Sequence, residues 1–214
     1  MPKKQPANKI AKEAEDSVNA VRPTGIPQLD YMLRGGFPVD STILVAGSSG
    51  TGKTVLSMQW LFEGYNQFEE PGLYISLTEP VGKAVKNARK MSFFKEDSYG
   101  ELKVYFTDLR GIMKGLSLEK GELDRNAIDT VVNTLQNLVK ESGAKRVVLD
   151  SITAVAYRLK DRDLIREFIF KLGTMLGQLD VNVFITSEVV DEGYSVFGVE
   201  EFISDGIIKF SYKT

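Results

Sequence analysis

Residues 47–54 read Gly47-Ser48-Ser49-Gly50-Thr51-Gly52-Lys53-Thr54, the G-x-x-x-x-G-K-[ST] pattern of a phosphate-binding loop. Small residues let successive backbone N–H groups curl toward a phosphate. The Lys53 ammonium can then reach β- and γ-phosphate oxygens, and the Thr54 hydroxyl can ligate Mg²⁺. Such a loop needs a strand before it and a helix after it. Thr42-Ile43-Leu44-Val45-Ala46 is a short apolar run of buried-strand type, and from Val55 to Tyr65 the residues Met58, Leu61, Phe62 and Tyr65 fall on one helical stripe. The N-terminus of that helix adds its positive end. The loop from Gly47 to Thr54 is therefore expected to bind a nucleotide with Mg²⁺.

Downstream, strand and helix signals alternate. Pro71-Gly72 marks a turn before a strand over Leu73 to Leu77, and Pro80 opens a helix with Val81, Ala84, Val85, Ala88 and Met91 in the 3.6 period. Leu102 to Phe106 reads as a strand, residues 107 to 123 as loop, and Asp124 as the N-cap of a helix carrying Ile128, Val131, Val132, Leu135, Leu138 and Val139 and ending near Gly143. Arg146-Val147-Val148-Leu149-Asp150 is an apolar run ending in an acid, which suits Asp150 to hold Mg²⁺ directly or through water; the plainer reading is an acid that caps a turn. A helix with Ile165, Phe168, Ile169, Leu172, Met175, Leu176 and Leu179 follows, then strands over Val181 to Thr186 and Gly206 to Tyr212. This alternation predicts an α/β fold, a mostly parallel twisted sheet with helices on both faces and its ligand at the carboxyl ends of the strands. Gly47, Leu77 to Glu79, Asp150 and Ser187 all fall at such ends.

Upstream of the loop, Thr24 to Asp30, Leu33, Gly35-Gly36 and Pro38 describe turns around a short helix, a lead-in to the first core strand. Residues 1–20 read as a charged N-terminal extension, and 21–214 as one nucleotide-binding α/β domain. The 214 residues carry 27 basic and 29 acidic side chains, a net charge of −2, so no global field draws the chain to nucleic acid or anionic lipid. Zero cysteines and zero histidines exclude disulfides, thiolate nucleophiles, zinc–sulfur sites and imidazole acid/base chemistry, leaving proton transfer to carboxylates or lysine. The lysines of MPKKQPANKI precede no apolar run and no stretch reaches 18 apolar residues, so a cytoplasmic protein without a membrane segment is expected.

With these residues in view, the chain resembles the RecA-superfamily ATPases, and among them a single-domain KaiC-like protein of archaeal type. The likeness runs collinearly over roughly residues 21–212 through TGIPQLDYMLRGGFP, GSSGTGKT, LYISLTEP with KNARK, VVLDSIT, ITSE and FGVEEFISD. It implies a RecA-like P-loop NTPase fold, Mg²⁺-dependent ATP hydrolysis and assembly as a homo-oligomer, a hexameric ring or a filament. It also implies roles for three side chains: Lys53 at the phosphates, Glu79 as the acid that activates the attacking water, and Ser187 as the polar group that reads the γ-phosphate. A carboxylate at the end of the second core strand can accept a proton from water in line with that phosphate, though Glu79 also suits the start of the helix at Pro80. KaiC domains carry two adjacent glutamates where this chain has Thr78-Glu79. Its sequence ends at Thr214, short of the segment with which such proteins reach a neighbour's ATP, leaving Lys209 and Lys213 as weak substitutes. Slow turnover or a truncated C-terminus is the expectation.

The leading reading is an ATP-binding and ATP-hydrolysing regulator that assembles in a nucleotide-dependent way. One alternative is a recombinase paralogue on single-stranded DNA, for which Arg158, Lys160, Arg162 and Arg166 offer charge and Tyr157, Tyr194 and Phe197 offer stacking. Asp161 and Asp163 interrupt that basic run. Glu188, Asp191, Glu192, Glu200 and Glu201 make the second loop acidic, which disfavours DNA. The other alternative is a non-hydrolysing, nucleotide-gated interaction module. A small-molecule kinase would add an arginine lid and a monophosphate site, and neither is evident.

Overall fold

The computed structural model describes residues 20–100, 103–109, 123–159, 161–189, 193 and 195–212. Residues 1–19 of the N-terminal extension, most of the 107–123 loop, and Leu102, Lys160, Asp191, Glu192, Tyr194 and Lys213 lie outside the described residues. Among the described residues one six-stranded sheet has the order β5-β4-β6-β7-β3-β8, with every neighbouring pair parallel. Its strands are β3 (Thr42–Gly47), β4 (Gly72–Ser76), β5 (Val104–Asp108), β6 (Arg146–Asp150), β7 (Asn182–Glu188) and β8 (Gly206–Phe210). A short antiparallel ribbon of β1 (Val21–Arg22) and β2 (Phe37–Pro38) frames helix α1 (Pro27–Leu33) ahead of the sheet.

Alternation along the strands divides the core. Ile43, Val45, Tyr74, Val148 and Phe184 face α2 (Lys53–Phe68) and α3 (Val81–Ala88). Leu44, Ala46, Leu73, Ile75, Val147, Leu149, Val183 and Ile185 face α4 (Arg125–Ser142), α5 (Ile152–Ala156) and α6 (Arg162–Leu176). Helices thus cover both faces, as parallel strands buried on both sides require. The predicted α/β architecture is observed. Asp124 caps α4 by accepting from the Ala127 N–H at 2.8 Å, and Gly143 ends the helix in the left-handed region at φ 62°.

Several boundaries differ from expectation. β5 continues through Thr107 and Asp108, because both pair with β4 opposite Ile75 and Ser76. Met91 and Leu179 lie beyond the ends of α3 and α6 but continue their apolar stripes through turns: Met91 N–H donates to Ala88 O and Leu179 N–H to Leu176 O. β8 stops at Phe210, two residues short of Tyr212.

At the amino end of the sheet, a wholly buried Arg146 ties the lead-in to the core. Its guanidinium donates to Glu70 Oε2 at 2.7 Å, Pro23 O at 2.6 Å, Thr24 O at 3.0 Å and Trp60 O at 3.1 Å, and lies 5.3 Å from the Trp60 ring centre. Gly64 makes room for it, since a Cβ there would stand 2.4 Å from Arg146 Nε. Burial pushes the guanidinium's pKa down, and the Glu70 carboxylate beside it opposes that shift. Arg146→Ala leaves three backbone carbonyls and the Glu70 carboxylate without their donor and is expected to cost about 3–5 kcal/mol. Arg89→Ala, which breaks an exposed pair with Glu96, should cost under about 1 kcal/mol. Urea midpoints of the two variants check the contrast.

Candidate active site

The parallel register lines up the carboxyl ends of the strands. Gly47 sits opposite both Glu188 and Phe210, and Ser76 opposite both Asp150 and Asp108. The phosphate loop rises from this edge. Gly50 and Gly52 take φ of 80° and 103°, and Gly52 is the N-cap residue of α2, a conformation that a side chain would strain. Thr51 Oγ1 donates to Ser48 O at 2.8 Å and braces the loop from within.

Lys53 begins α2 with its side chain buried. Its ammonium donates to Gly47 O at 2.6 Å and Ser48 O at 2.9 Å. Burial pushes its pKa down, while the negative charges of Glu188 and Asp150 push the other way. One turn of loop and helix thus collects a buried cation with three N–H bonds to give and only loop carbonyls to take them. That donor is matched to an anion at this place.

Asp150 is held by three hydroxyls. Thr54 Oγ1 and Tyr74 Oη each donate to Oδ2 at 2.6 Å, and Thr186 Oγ1 donates to Oδ1 at 2.5 Å. Burial, followed by the Asp150 charge and hydrogen bond, raises the Tyr74 pKa well above its usual 10, so the phenol stays a donor. Thr54 and Asp150 present adjacent hard oxygens, the chemistry that Mg²⁺ takes. No cluster of three or more acidic, histidine or cysteine side chains that could hold a metal ion occurs among the described residues.

Ser49, Gly50, Gly52, Lys53, Thr54, Val55, Thr78, Asp150, Ser151 and Glu188 enclose a cavity of about 300 Å³. The structure therefore brings the loop, Lys53, Thr54 and Asp150 together. Glu79 is next to this group rather than in its wall. Thr78 lines the cavity, while the Glu79 carboxylate pairs with Lys83 Nζ at 3.0 Å on the first turn of α3. Ser76 fixes the turn between them, its hydroxyl donating to Glu79 O at 2.7 Å and accepting from Glu79 N at 3.1 Å. Ser187 is fully buried and outside the cavity wall, its hydroxyl 3.2 Å from Thr153 Oγ1 and 3.3 Å from Glu200 Oε1.

Sequence reasoning missed the partners of these residues. Tyr74 and Thr186 read as core strand residues, and only the register of β4 and β7 against β6 places their hydroxyls on Asp150. Glu188 reads as loop acid yet lines the cavity. Phe210 and Tyr212 lean over the loop: a Cβ at Gly47 would stand 2.9 Å from Phe210 Cβ, and one at Gly50 would stand 3.3 Å from Tyr212 Oη. Of the DNA-stacking candidates, Tyr157 and Phe197 pack edge to face with ring centres 5.5 Å apart. Of the basic run, Arg162 starts α6 behind an Asp161 cap, and Arg166 approaches Asp163 at 3.8 Å.

A family model described as ATPase: KaiC matches residues 22–214. Circadian clock oscillator protein KaiC of Nostoc sp. is 38% identical over 187 residues, which cover 86% of this chain and 35% of that protein. Its counterpart from Thermostichus vulcanus is 35% identical over 188 residues, covering 87% and 36%. The chain thus spans about a third of the length of these curated relatives. A crystal structure of a KaiC-like protein from the hyperthermophilic archaeon Pyrococcus horikoshii superposes with a TM-score of 0.71 at 30% identity, over 89% of this chain and 81% of the other.

Proposed function

The chain belongs to the KaiC family of RecA-like ATPases, and on that premise we propose that it is a cytoplasmic regulator that binds and hydrolyses ATP with Mg²⁺ and assembles with copies of itself according to the nucleotide held. The observation that carries the reading is the convergence of the buried Lys53 ammonium and the Thr54–Asp150 oxygens on one cavity at the carboxyl edge of the sheet. Loop N–H groups and Lys53 take the β- and γ-phosphates, for which Lys53 gives up its bonds to Gly47 and Ser48. Thr54 and Asp150 would hold Mg²⁺, which would supply positive charge against the charge that develops on the phosphates. Tyr74 and Thr186 keep the Asp150 carboxylate turned toward that place. Glu79 takes a proton from the attacking water after releasing Lys83, and Ser187 senses the γ-phosphate from behind the cavity wall. At about 300 Å³ the cavity suits the phosphates, which puts the nucleoside at the rim beside Phe210 and Tyr212.

Light scattering on the purified chain with and without Mg·ATP, run beside a phosphate-release assay, tests both halves of the reading. ATP-dependent growth in mass together with released phosphate is the expected result. Assembly without phosphate release would support a nucleotide-gated module instead, and neither response would overturn the regulator. Submicromolar, salt-sensitive binding to a single-stranded oligonucleotide would favour the recombinase reading.

Asp150→Asn is expected to lose the Mg²⁺-dependent tightening of ATP binding, because an amide oxygen is a poorer ligand for a hard cation than a carboxylate. Isothermal titration with and without Mg²⁺ measures it. Equal tightening in parent and variant would remove Asp150 from the metal site.

A further inference from the structure

The 3₁₀ turn Glu200–Ile203 packs on α6 and leaves two aromatic rings uncovered, Phe202 at 82% exposed and Phe170 of α6 at 72%. They stand over two adjoining cavities of about 290 and 310 Å³ that share Phe170, Phe202 and Ile203. Together these make one groove along α6 from Arg166 to Gly177, about 16 Å of helix. Its floor is apolar. Gly173 carries no side chain where a Cβ would stand 2.5 Å from Ile203 Cγ2, so Ile203 closes down on the helix there. The polar groups of the wall are satisfied locally: Thr174 Oγ1 donates to Phe170 O at 2.9 Å, and Asp205 Oδ2 accepts from Thr42 N at 2.8 Å. Such a groove matches an apolar stripe rather than a charged ligand.

The chain itself arrives at one end of it. Antiparallel register pairs Val21 with Pro38, and Val39 N donates to Ala20 O at 3.1 Å, so the backbone ahead of Ala20 heads toward Asp40. Asp40 stands in the groove wall with Thr42 and Gly177. Residues 1–19 precede that point, and in their sequence Ala7, Ile10, Ala14 and Val18 recur at intervals of three and four. At helical spacing Lys9, Lys12 and Asp16 fall on the opposite side. A helix from Ile10 to Val18 would measure about 12 Å, within the length of the groove.

We propose that residues 7–18 dock in this groove of their own molecule as an amphipathic helix, Val18 beside Gly177 and Ile10 toward Arg166, and cover Phe170 and Phe202. Burial of the two rings drives the docking, while Lys9, Lys12 and Asp16 stay in water. Tethering favours the chain's own segment over a second copy. Val18 is joined to the fixed Ala20 by a link of two residues, and a short link gives an effective concentration in the millimolar range, roughly a hundredfold above a solution of about 10 μM protein.

Cross-linking tests the face as well as the contact, because the 214-residue chain has no cysteine of its own. Ala14→Cys combined with Thr174→Cys is expected to close an intramolecular disulfide under mild oxidation at least about tenfold faster than Asp16→Cys combined with Thr174→Cys. Asp16 is nearer to Ala20 along the chain, so a loose tether would give it no disadvantage. Equal rates for the two pairs overturn the docked helix, and links found only between molecules give the groove to a second copy and overturn it too. Hydrogen exchange on the cysteine-free chain is the second measurement. Amides of 10–18 are expected to exchange at least about tenfold more slowly in the parent than in Phe202→Ser or Phe170→Ser, each of which removes an exposed ring that the fold does not need. Exchange at the unfolded-chain rate in the parent overturns the docking. Both measurements are made without nucleotide, so the result stands whether or not the chain binds ATP or ADP.

Discussion

Lys53→Ala is expected to weaken ATP binding by roughly 10²- to 10⁴-fold, because a side chain that makes two charge-assisted hydrogen bonds to phosphate contributes about 1.5–3 kcal/mol through each. The fold should be nearly indifferent. In the structure the Lys53 ammonium satisfies only Gly47 O and Ser48 O, at the edge of an exposed loop, and it bears a desolvation cost that depresses its pKa. Removing it gives up two hydrogen bonds and relieves that cost, so the net change in stability should stay within about 1 kcal/mol. Fluorescence titration with a labelled ATP and a urea unfolding curve on the same preparation separate the two effects. Micromolar binding retained by the variant would refute the assignment of the loop. A collapse of stability would show that Lys53 serves the core rather than a ligand.

The parts of the fold that were legible were those in which a local pattern has one physical meaning. The loop from Gly47 to Thr54 is such a case, since its glycines, lysine and hydroxyl occur in order along the chain. Asp124 and Gly143 are others, because an N-cap acid and a left-handed glycine act on backbone only three or four residues away. Asp150 could be placed at a strand end but not given its partners. Tyr74, Thr54 and Thr186 reach it from 76, 96 and 36 residues away, and which hydroxyl faces it depends on the strand order β4-β6-β7. The acids after Ser187 read together as one acidic loop that disfavours DNA, yet Glu188 turns to the cavity, Glu200 is buried and Glu201 accepts from Ser195. Periodicity cannot separate Glu188, Glu200 and Glu201, because Glu200 and Glu201 are fixed by hydrogen bonds from Ser187 and Ser195 rather than by a repeat along the chain. Arg146 was missed for a related reason: a charge heading an apolar strand reads as its solvent end, until Glu70 and three carbonyls close around it.

Glu79→Gln is expected to leave ATP affinity intact and lower turnover by about 10²- to 10⁴-fold, the usual range for loss of a general base. Glutamine keeps the size of the side chain and an acceptor oxygen but not the basicity that takes a proton from water. The structure supplies a second use for this carboxylate, its 3.0 Å pair with Lys83 at the start of α3, and the pair is a surface one, with Lys83 largely exposed. Such a contact contributes little, about 0.3–0.5 kcal/mol for an i,i+4 pair, so it does not stop Glu79 from turning toward the cavity that its neighbour Thr78 already lines. Lys83→Ala distinguishes the two uses. If Glu79 is the base, releasing it from Lys83 leaves turnover at or above the parent rate while Glu79→Gln abolishes it. If Glu79 only complements the helix start, both variants hydrolyse ATP like the parent, and the difference is confined to a few tenths of a kcal/mol in stability. Phosphate release at saturating Mg·ATP decides between them. Because ATP persists where hydrolysis is lost, any ATP-dependent assembly should outlive that of the parent in the Glu79→Gln variant. Light scattering after a single addition of ATP would therefore decay in the parent and hold in the variant.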